Sequence, residues 1–254
     1  MRVGARPAGR GARRTAEGLH RRGARRRVPA LDVLRGARQE DDRRHRVHEG
    51  HHGVIVVVTG ATGPAGRATC ARLRDRGDTV VAVGTDADRL ATVAASDRLV
   101  ADLADPQAAR ALAAEVMSAH RRVDAILHLV GGWRAGNTPD ADAWLRPRLV
   151  DSLENVIAAF EPELAASEGR LAIVSSAAVD PDAEPTSSYA RAKADAEELV
   201  AELADRLAAA DGAATVFVAR SIGEDGTPPA VLAERLVGWL DEPAAAVNGA
   251  RLAL

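Results

Sequence analysis

Aromatic side chains are scarce in this 254-residue chain, at 2%: one Tyr, two Phe and three Trp. None of them falls among the arginine clusters near the N-terminus, so the stacking platform used in sequence-tolerant nucleic-acid binding is missing there and a nucleic-acid partner is not expected. Cysteine occurs once, as Cys70, which excludes an internal disulfide and any cysteine-based zinc site. It reads as a small apolar packing residue. Lysine is as rare: of 34 basic residues, all but Lys193 are Arg. No wholly apolar run is longer than that at residues 54–58, far below the ~20 residues that span a bilayer. A soluble domain without membrane contact is therefore expected.

Charge is unevenly placed. The formal net charge of -2 combines 15 Arg against six acidic residues in 1–53 with 19 basic against 30 acidic residues in 54–254. Residues 1–53 show no apolar period, only runs such as Arg25-Arg26-Arg27 and the cluster His45, His48, His51 and His52. Such a segment cannot bury enough apolar surface to offset the entropy of ordering, so 1–53 reads as a disordered extension. A targeting peptide would need an apolar stretch or a clean amphipathic helix, and neither is present. The four histidines read as solvated, with no metal site expected. Residues 54–254 read as one domain, long enough for a sizeable core.

Within that domain, short β-branched runs alternate with helical periods. Residues 54–58 form an apolar run leading into a glycine turn, the pattern of a strand buried on both faces. Further strands are expected at 79–83, 98–101, 123–130, 170–174, 214–218 and 250–254. Helices are expected at 64–76, 106–119, 141–166, 187–210 and 228–240, several with Pro near the start. This alternation predicts an α/β fold: a doubly wound parallel sheet of about seven strands with helices on both faces.

Tyr189, the only tyrosine, stands four residues before Lys193, the only lysine. A random placement would give that spacing about once in 250 tries, which argues for a motif. On a helix it sets both side chains on one face, where an ammonium favours the ionised phenol; a phenol pKa below the ordinary ~10 is expected. A surface Tyr and Lys on an amphipathic helix is the plainer reading. The first strand runs into Thr59-Gly60-Ala61-Thr62-Gly63-Pro64-Ala65-Gly66, where glycines allow a tight turn and close approach of a pyrophosphate to a helix N-terminus.

Gly60, Gly63 and Gly66, with Ser176, Tyr189 and Lys193, together resemble the short-chain dehydrogenase/reductase family across nearly all of 54–254. Ser176 precedes Tyr189 by 13 residues, the family's usual offset. The resemblance implies a Rossmann-like fold and a cytoplasmic, NAD(P)-dependent oxidoreductase that interconverts a carbonyl and an alcohol. In that family, Tyr donates the proton, Lys holds the nicotinamide ribose and acidifies the Tyr, and Ser polarises the carbonyl. Carried over, these roles fall on Tyr189, Lys193 and Ser176, with Ser175 left to a structural hydrogen bond.

The same resemblance places the cofactor along Gly60, Thr62, Gly63, Pro64, Ala65 and Gly66, with Asp102 and Leu103 at the adenine. Val130, Gly131 and Ile222 fall on the nicotinamide side. Gly84 stands where an NAD enzyme carries Asp, and Thr85 follows where NADP-selective members often carry Arg, so the reading leans to NADP. Asp86 serves ribose or caps the next helix, and Asp102 is alternatively a plain cap. The segment from Gly131 to Asn137 is similar to dihydropteridine reductases, which puts Trp133 beside the nicotinamide and a flat substrate; a core or surface Trp is the alternative. The long helices after the fourth and fifth strands are similar to those that pair relatives into homodimers and homotetramers.

Departures from the family pattern are specific. His128-Leu129-Val130-Gly131 replaces Asn-Asn-Ala-Gly, and His128 reads as a hydrogen-bonded structural residue or as an acid or base. The helical Asn of the family's tetrad maps near Leu149, with Asn155 too far along to substitute. Ser221-Ile222 stands where Pro-Gly is usual, followed by almost no substrate lid. These departures support a rival reading, an NAD(P)-binding sensor or scaffold with little turnover.

Overall fold

The computed structural model describes residues 53–254, so the expectation of a disordered arginine-rich extension lies outside the described residues save Gly53. Seven parallel strands form one sheet: β1 (Ile55–Thr59), β2 (Thr79–Gly84), β3 (Asp97–Val100), β4 (Ala125–His128), β5 (Arg170–Ser176), β6 (Ala213–Ala219) and β7 (Arg251–Ala253). Their order is β3-β2-β1-β4-β5-β6-β7. The doubly wound α/β expectation holds.

Side-chain alternation along β1 explains the two layers. Val57 enters one core with Val81, Val83 and Ile126, while Val56 and Val58 enter the other with Val80, Ala82 and Leu127. The first core is closed by α3 (Pro106–His120), α5 (Ser152–Ala166) and α6 (Ser188–Ala208), through Leu112, Phe160 and Leu203. The second is closed by α1 (Pro64–Arg76) and α7 (Pro229–Trp239), through Leu73 and Leu236. Each such fully buried side chain contributes about 1.5–3 kcal/mol of burial free energy. Two carboxylates pin the start of β1: Asp78 Oδ1 accepts the Val54 N–H at 3.1 Å and Asp124 Oδ2 accepts the Ile55 N–H at 2.8 Å.

Four elements differ from expectation. The single helix expected at 141–166 is α4 (Pro139–Arg146), a π-helical turn (Pro147–Asp151) and then α5. Pro147 has no N–H to donate, so the regular ladder is interrupted, and the turn widens until the Ser152 N–H bonds the Pro147 carbonyl. Two short helices, α2 (Ala87–Ala91) and α8 (Ala244–Val247), add to the five read from periodicity, α2 being the helix that Asp86 was alternatively expected to cap. The strand expected at 123–130 is shorter, which frees Leu129, Val130 and Gly131 as irregular backbone beside the glycine turn.

Candidate active site

The strand order reverses at β1, whose neighbours β2 and β4 lead to opposite sides, and the crevice at such a switch point is where open α/β sheets bind ligands. The turn after β1 is built for close approach. Gly60 has φ +65°, and a Cβ there would lie 2.4 Å from the Leu129 carbonyl oxygen. A Cβ on Gly66 would lie 2.4 Å from the Gly60 carbonyl oxygen. Larger residues at either position would force the turn apart.

The crevice continues as two adjoining cavities, of about 800 and 950 Å³. The larger takes in the glycine turn with Thr62, Pro64 and Ala65, then Gly84, Thr85, Asp102 and Leu103. The smaller takes in Ser176, Tyr189, Lys193 and Trp133, and both touch Val130, Gly131 and Ile222. Every site residue read from the sequence therefore borders this crevice. Two residues that the sequence reading missed also face the larger cavity, Arg89 and Arg148. Arg89 lies on α2, and its guanidinium donates to the Thr62 carbonyl at 3.2 Å. Arg148 sits on the π turn, its guanidinium carbon 4.2 Å from the Trp144 ring centre.

The alternatives left open for two acids are resolved or narrowed by hydrogen bonds. Asp86 caps α2, accepting the Arg89 N–H at 3.0 Å. Asp102 accepts the Ala104 N–H at 3.1 Å, a local turn bond, and still lines the larger cavity. Asn155 reaches the same segment, donating to the Leu103 carbonyl at 2.9 Å.

Around the lone tyrosine the groups converge. Ser187 caps α6 through the Ala190 N–H at 3.1 Å, which sets Tyr189 and Lys193 one turn apart along the smaller cavity. Ser176 Oγ, at the end of β5, accepts the Ala178 N–H at 3.1 Å and lines the same cavity as Tyr189, where its hydroxyl acts to lower the phenol's pKa. Ser175 instead donates to the Glu197 carboxylate, which also pairs with Arg251 Nε at 2.9 Å. Lys193 is 7% exposed and donates to the Val174 carbonyl at 2.7 Å. Burial lowers its pKa to about 8, against the opposing pull of Glu197.

One expectation is corrected here. The phenol of Tyr189 is raised above its ordinary value, because burial outweighs the hydrogen bond from Ser176, and the Lys193 ammonium is turned toward Val174 instead. In the cofactor-free protein, helical proximity alone does not acidify the tyrosine.

His128 is fully enclosed, with Nδ1 2.9 Å from Thr59 Oγ1 and Nε2 3.3 Å from Ser152 Oγ. Ser152 gives its one proton to the Arg148 carbonyl at 2.7 Å, so Nε2 carries the imidazole hydrogen and Nδ1 accepts from Thr59. Burial, reinforced by Lys193, lowers the pKa of His128 to about 3. At ordinary pH it is therefore neutral, although it also lines the smaller cavity. Leu149 packs in an apolar cluster with Leu145 and Ala192, while the π turn brings Ser152 round to the crevice. Trp133 is 69% exposed, which removes the core reading and leaves its indole at the cavity mouth.

Among the described residues no group of three or more His, Cys, Asp or Glu has metal-binding geometry, and no helix is long and apolar enough to cross a membrane.

Known proteins resemble this chain at several levels. A metagenomic short-chain oxidoreductase solved in complex with NADP superposes with TM-score 0.68 at 22% identity, covering 80% of this chain and 98% of that one. An NAD+-bound xylitol dehydrogenase gives TM-score 0.66 at 17% identity, covering 81% and 99%. These likenesses concern the fold. Among curated proteins, DnrU of Streptomyces sp. (strain C5), provisionally named as a daunorubicin C-13 ketoreductase, is 31% identical over 149 residues, 53% of this chain and 52% of its own length. A 3beta-hydroxysteroid dehydrogenase of Mediterraneibacter gnavus is 31% identical over 103 residues, 36% of this chain and 37% of its own. The chain thus spans about half or less of the length of these curated relatives. The family described as short chain dehydrogenase matches residues 54–219, from β1 through the end of β6, and with that match the chain belongs to the short-chain dehydrogenase family.

Proposed function

We propose that this protein is an NAD(P)-dependent oxidoreductase that interconverts a carbonyl and an alcohol, with Tyr189 as proton donor and acceptor. The observation that carries this reading is the convergence of Ser176, Tyr189 and a buried Lys193 on one cavity that adjoins the glycine turn. The crevice fits a dinucleotide: the turn admits no Cβ at Gly60 or Gly66, and Lys193 has donors beyond the one given to Val174. A reduced nicotinamide bound there would supply a hydride, two electrons with a proton, to the carbonyl carbon. As the carbon–oxygen π bond breaks, Ser176 donates a hydrogen bond to the oxygen and Tyr189 delivers its proton, giving the alcohol. The phenolate then regains a proton from water. Lys193 holds the ribose hydroxyls and stabilises that phenolate.

NADP is the preferred cofactor in this reading. Gly84 presents no carboxylate to repel a 2'-phosphate, and Arg89 borders the same cavity as Gly84 and Thr85. A homodimer or homotetramer is proposed from the family resemblance, and sedimentation velocity measures it. The rival reading, a cofactor-binding sensor, draws on the apolar Leu149 where a polar relay group is expected. A panel of aldehydes and ketones with NADH and NADPH, followed by loss of reduced-cofactor absorbance, separates the two. Turnover that falls at least about 100-fold in Tyr189→Phe, with cofactor affinity retained, supports the enzyme. Tight cofactor binding without turnover of any compound supports the sensor.

A further inference from the structure

We propose that the substrate is a planar carbonyl compound carrying an anionic group such as a carboxylate, steered and held by Arg134 and Arg220, which both line the Tyr189 cavity. This rests on the oxidoreductase reading and names the substrate class of the same site. Residues 54–254 hold 19 basic against 30 acidic residues, so the domain's overall field repels anions. The cavity around Tyr189 departs from that balance. Its charged lining residues are Arg134, Lys193 and Arg220, and no Asp or Glu lines it. The adjoining larger cavity is mixed, with Asp102 beside Arg89 and Arg148, so the all-cationic lining belongs to the Tyr189 end alone.

Lys193 is enclosed and turned to Val174, which leaves the two arginines as the cations available to a substrate. They come from different elements. Arg134 follows β4, in the segment that carries Trp133, and Arg220 is the first residue after β6. Both are exposed at the cavity rim. Arg134 is committed only lightly, donating to the Asp140 carbonyl at 3.4 Å with its guanidinium carbon 5.8 Å from the Trp144 ring centre. Arg220 makes no hydrogen bond or ion pair among the described residues, although Glu224 and Asp225 lie in the same connection. A guanidinium presents a planar fork of donors that matches a carboxylate. The exposed indole of Trp133, on the same lining, supplies a flat apolar face, which favours a planar carbon skeleton.

The test compares two aldehydes of the same skeleton with NADPH and NADH: 4-carboxybenzaldehyde and its methyl ester. The expected result is a kcat/KM ratio of about tenfold in favour of the carboxylate at low salt, shrinking as ionic strength rises, since the cations are exposed. Arg220→Gln and Arg134→Gln should each reduce that ratio, by raising KM for the carboxylate more than for the ester. A ratio at or below one in the wild type, or a ratio that neither variant moves, overturns the proposal. If neither aldehyde is turned over, the oxidoreductase reading fails for this pair, and equilibrium dialysis still decides the anion preference. Tighter binding of benzoate than of methyl benzoate, lost in Arg220→Gln, supports it; equal binding refutes it.

Discussion

Replacing Lys193 with Met should make the cofactor-free protein more stable at neutral pH while removing function. The ammonium is 7% exposed, and its pKa falls from 10.5 to about 8 on burial. Holding that charge inside the fold costs about 3 kcal/mol. Met is similar in length and apolar, so it removes the penalty; losing the 2.7 Å bond to the Val174 carbonyl returns about 1 kcal/mol. A net gain of about 2 kcal/mol corresponds to roughly 4–8 °C in Tm for a domain of this size. The pH dependence has a definite sign. Below pH 8 the amine is charged in both folded and unfolded chains, and the whole penalty applies. Between pH 8 and 10.5 the unfolded chain holds one proton more than the folded one, so wild-type stability rises with pH and the advantage of Met fades. Thermal melts of both proteins at pH 7 and pH 10.5, without cofactor, measure it. A Met variant that melts at or below wild type at pH 7, or whose gain is as large at pH 10.5, refutes the argument.

The phenol of Tyr189 should titrate above its ordinary ~10 in the cofactor-free protein, because burial opposes the phenolate. As the only tyrosine it can be followed by ultraviolet difference absorbance, and an apparent pKa below 10 would restore the acidified phenol expected from spacing alone. Gly84→Asp should shift the affinity ratio toward NAD by about tenfold or more, since a carboxylate accepts ribose hydroxyls and repels a 2'-phosphate. The new Cβ would meet side chains, Thr62 Cγ2 at 3.1 Å and Leu90 Cδ2 at 3.5 Å, so the fold should absorb it with small shifts. Fluorescence titration with each cofactor checks the ratio; a wild type that already prefers NAD, or an unmoved ratio, counts against the assignment.

What could be read before any coordinates was whatever repeats locally. The β-branched run before the glycine turn, the proline-led helices and the spacing of Ser176, Tyr189 and Lys193 are short-range signals, and the sheet and the crevice followed from them. The break at Pro147 was written in the sequence, yet hydrophobic periodicity runs on through it. Only the missing N–H explains why the helix widens and why Ser152, three residues after Leu149, turns to His128. Arg89 and Arg220 carry no local signature, because tertiary packing of α2 and the end of β6 brings them to the crevice. The titration of Tyr189 was misjudged for a related reason. Spacing sets Lys193 on the same helical face, while the Val174 carbonyl, from another element, decides where the ammonium points.

The connection from Arg220 to Pro228, between β6 and α7, has nine residues and folds back on itself, with the Thr227 N–H on the Ser221 carbonyl at 2.9 Å and the Gly223 N–H on the Thr227 carbonyl at 3.1 Å. A knot this small cannot swing over the crevice as a flap does. On the oxidoreductase reading, reactants should then enter and leave with no closing motion of this connection, and turnover limited by encounter should slow in proportion to solvent viscosity. The same openness bears on Leu149. A sealed site needs an internal chain of polar groups to restore a proton to its acid; on the oxidoreductase reading, the half-buried Tyr189 should instead regain its proton from water in the cavity it lines, so the aliphatic Leu149 of the π turn would be no obstacle.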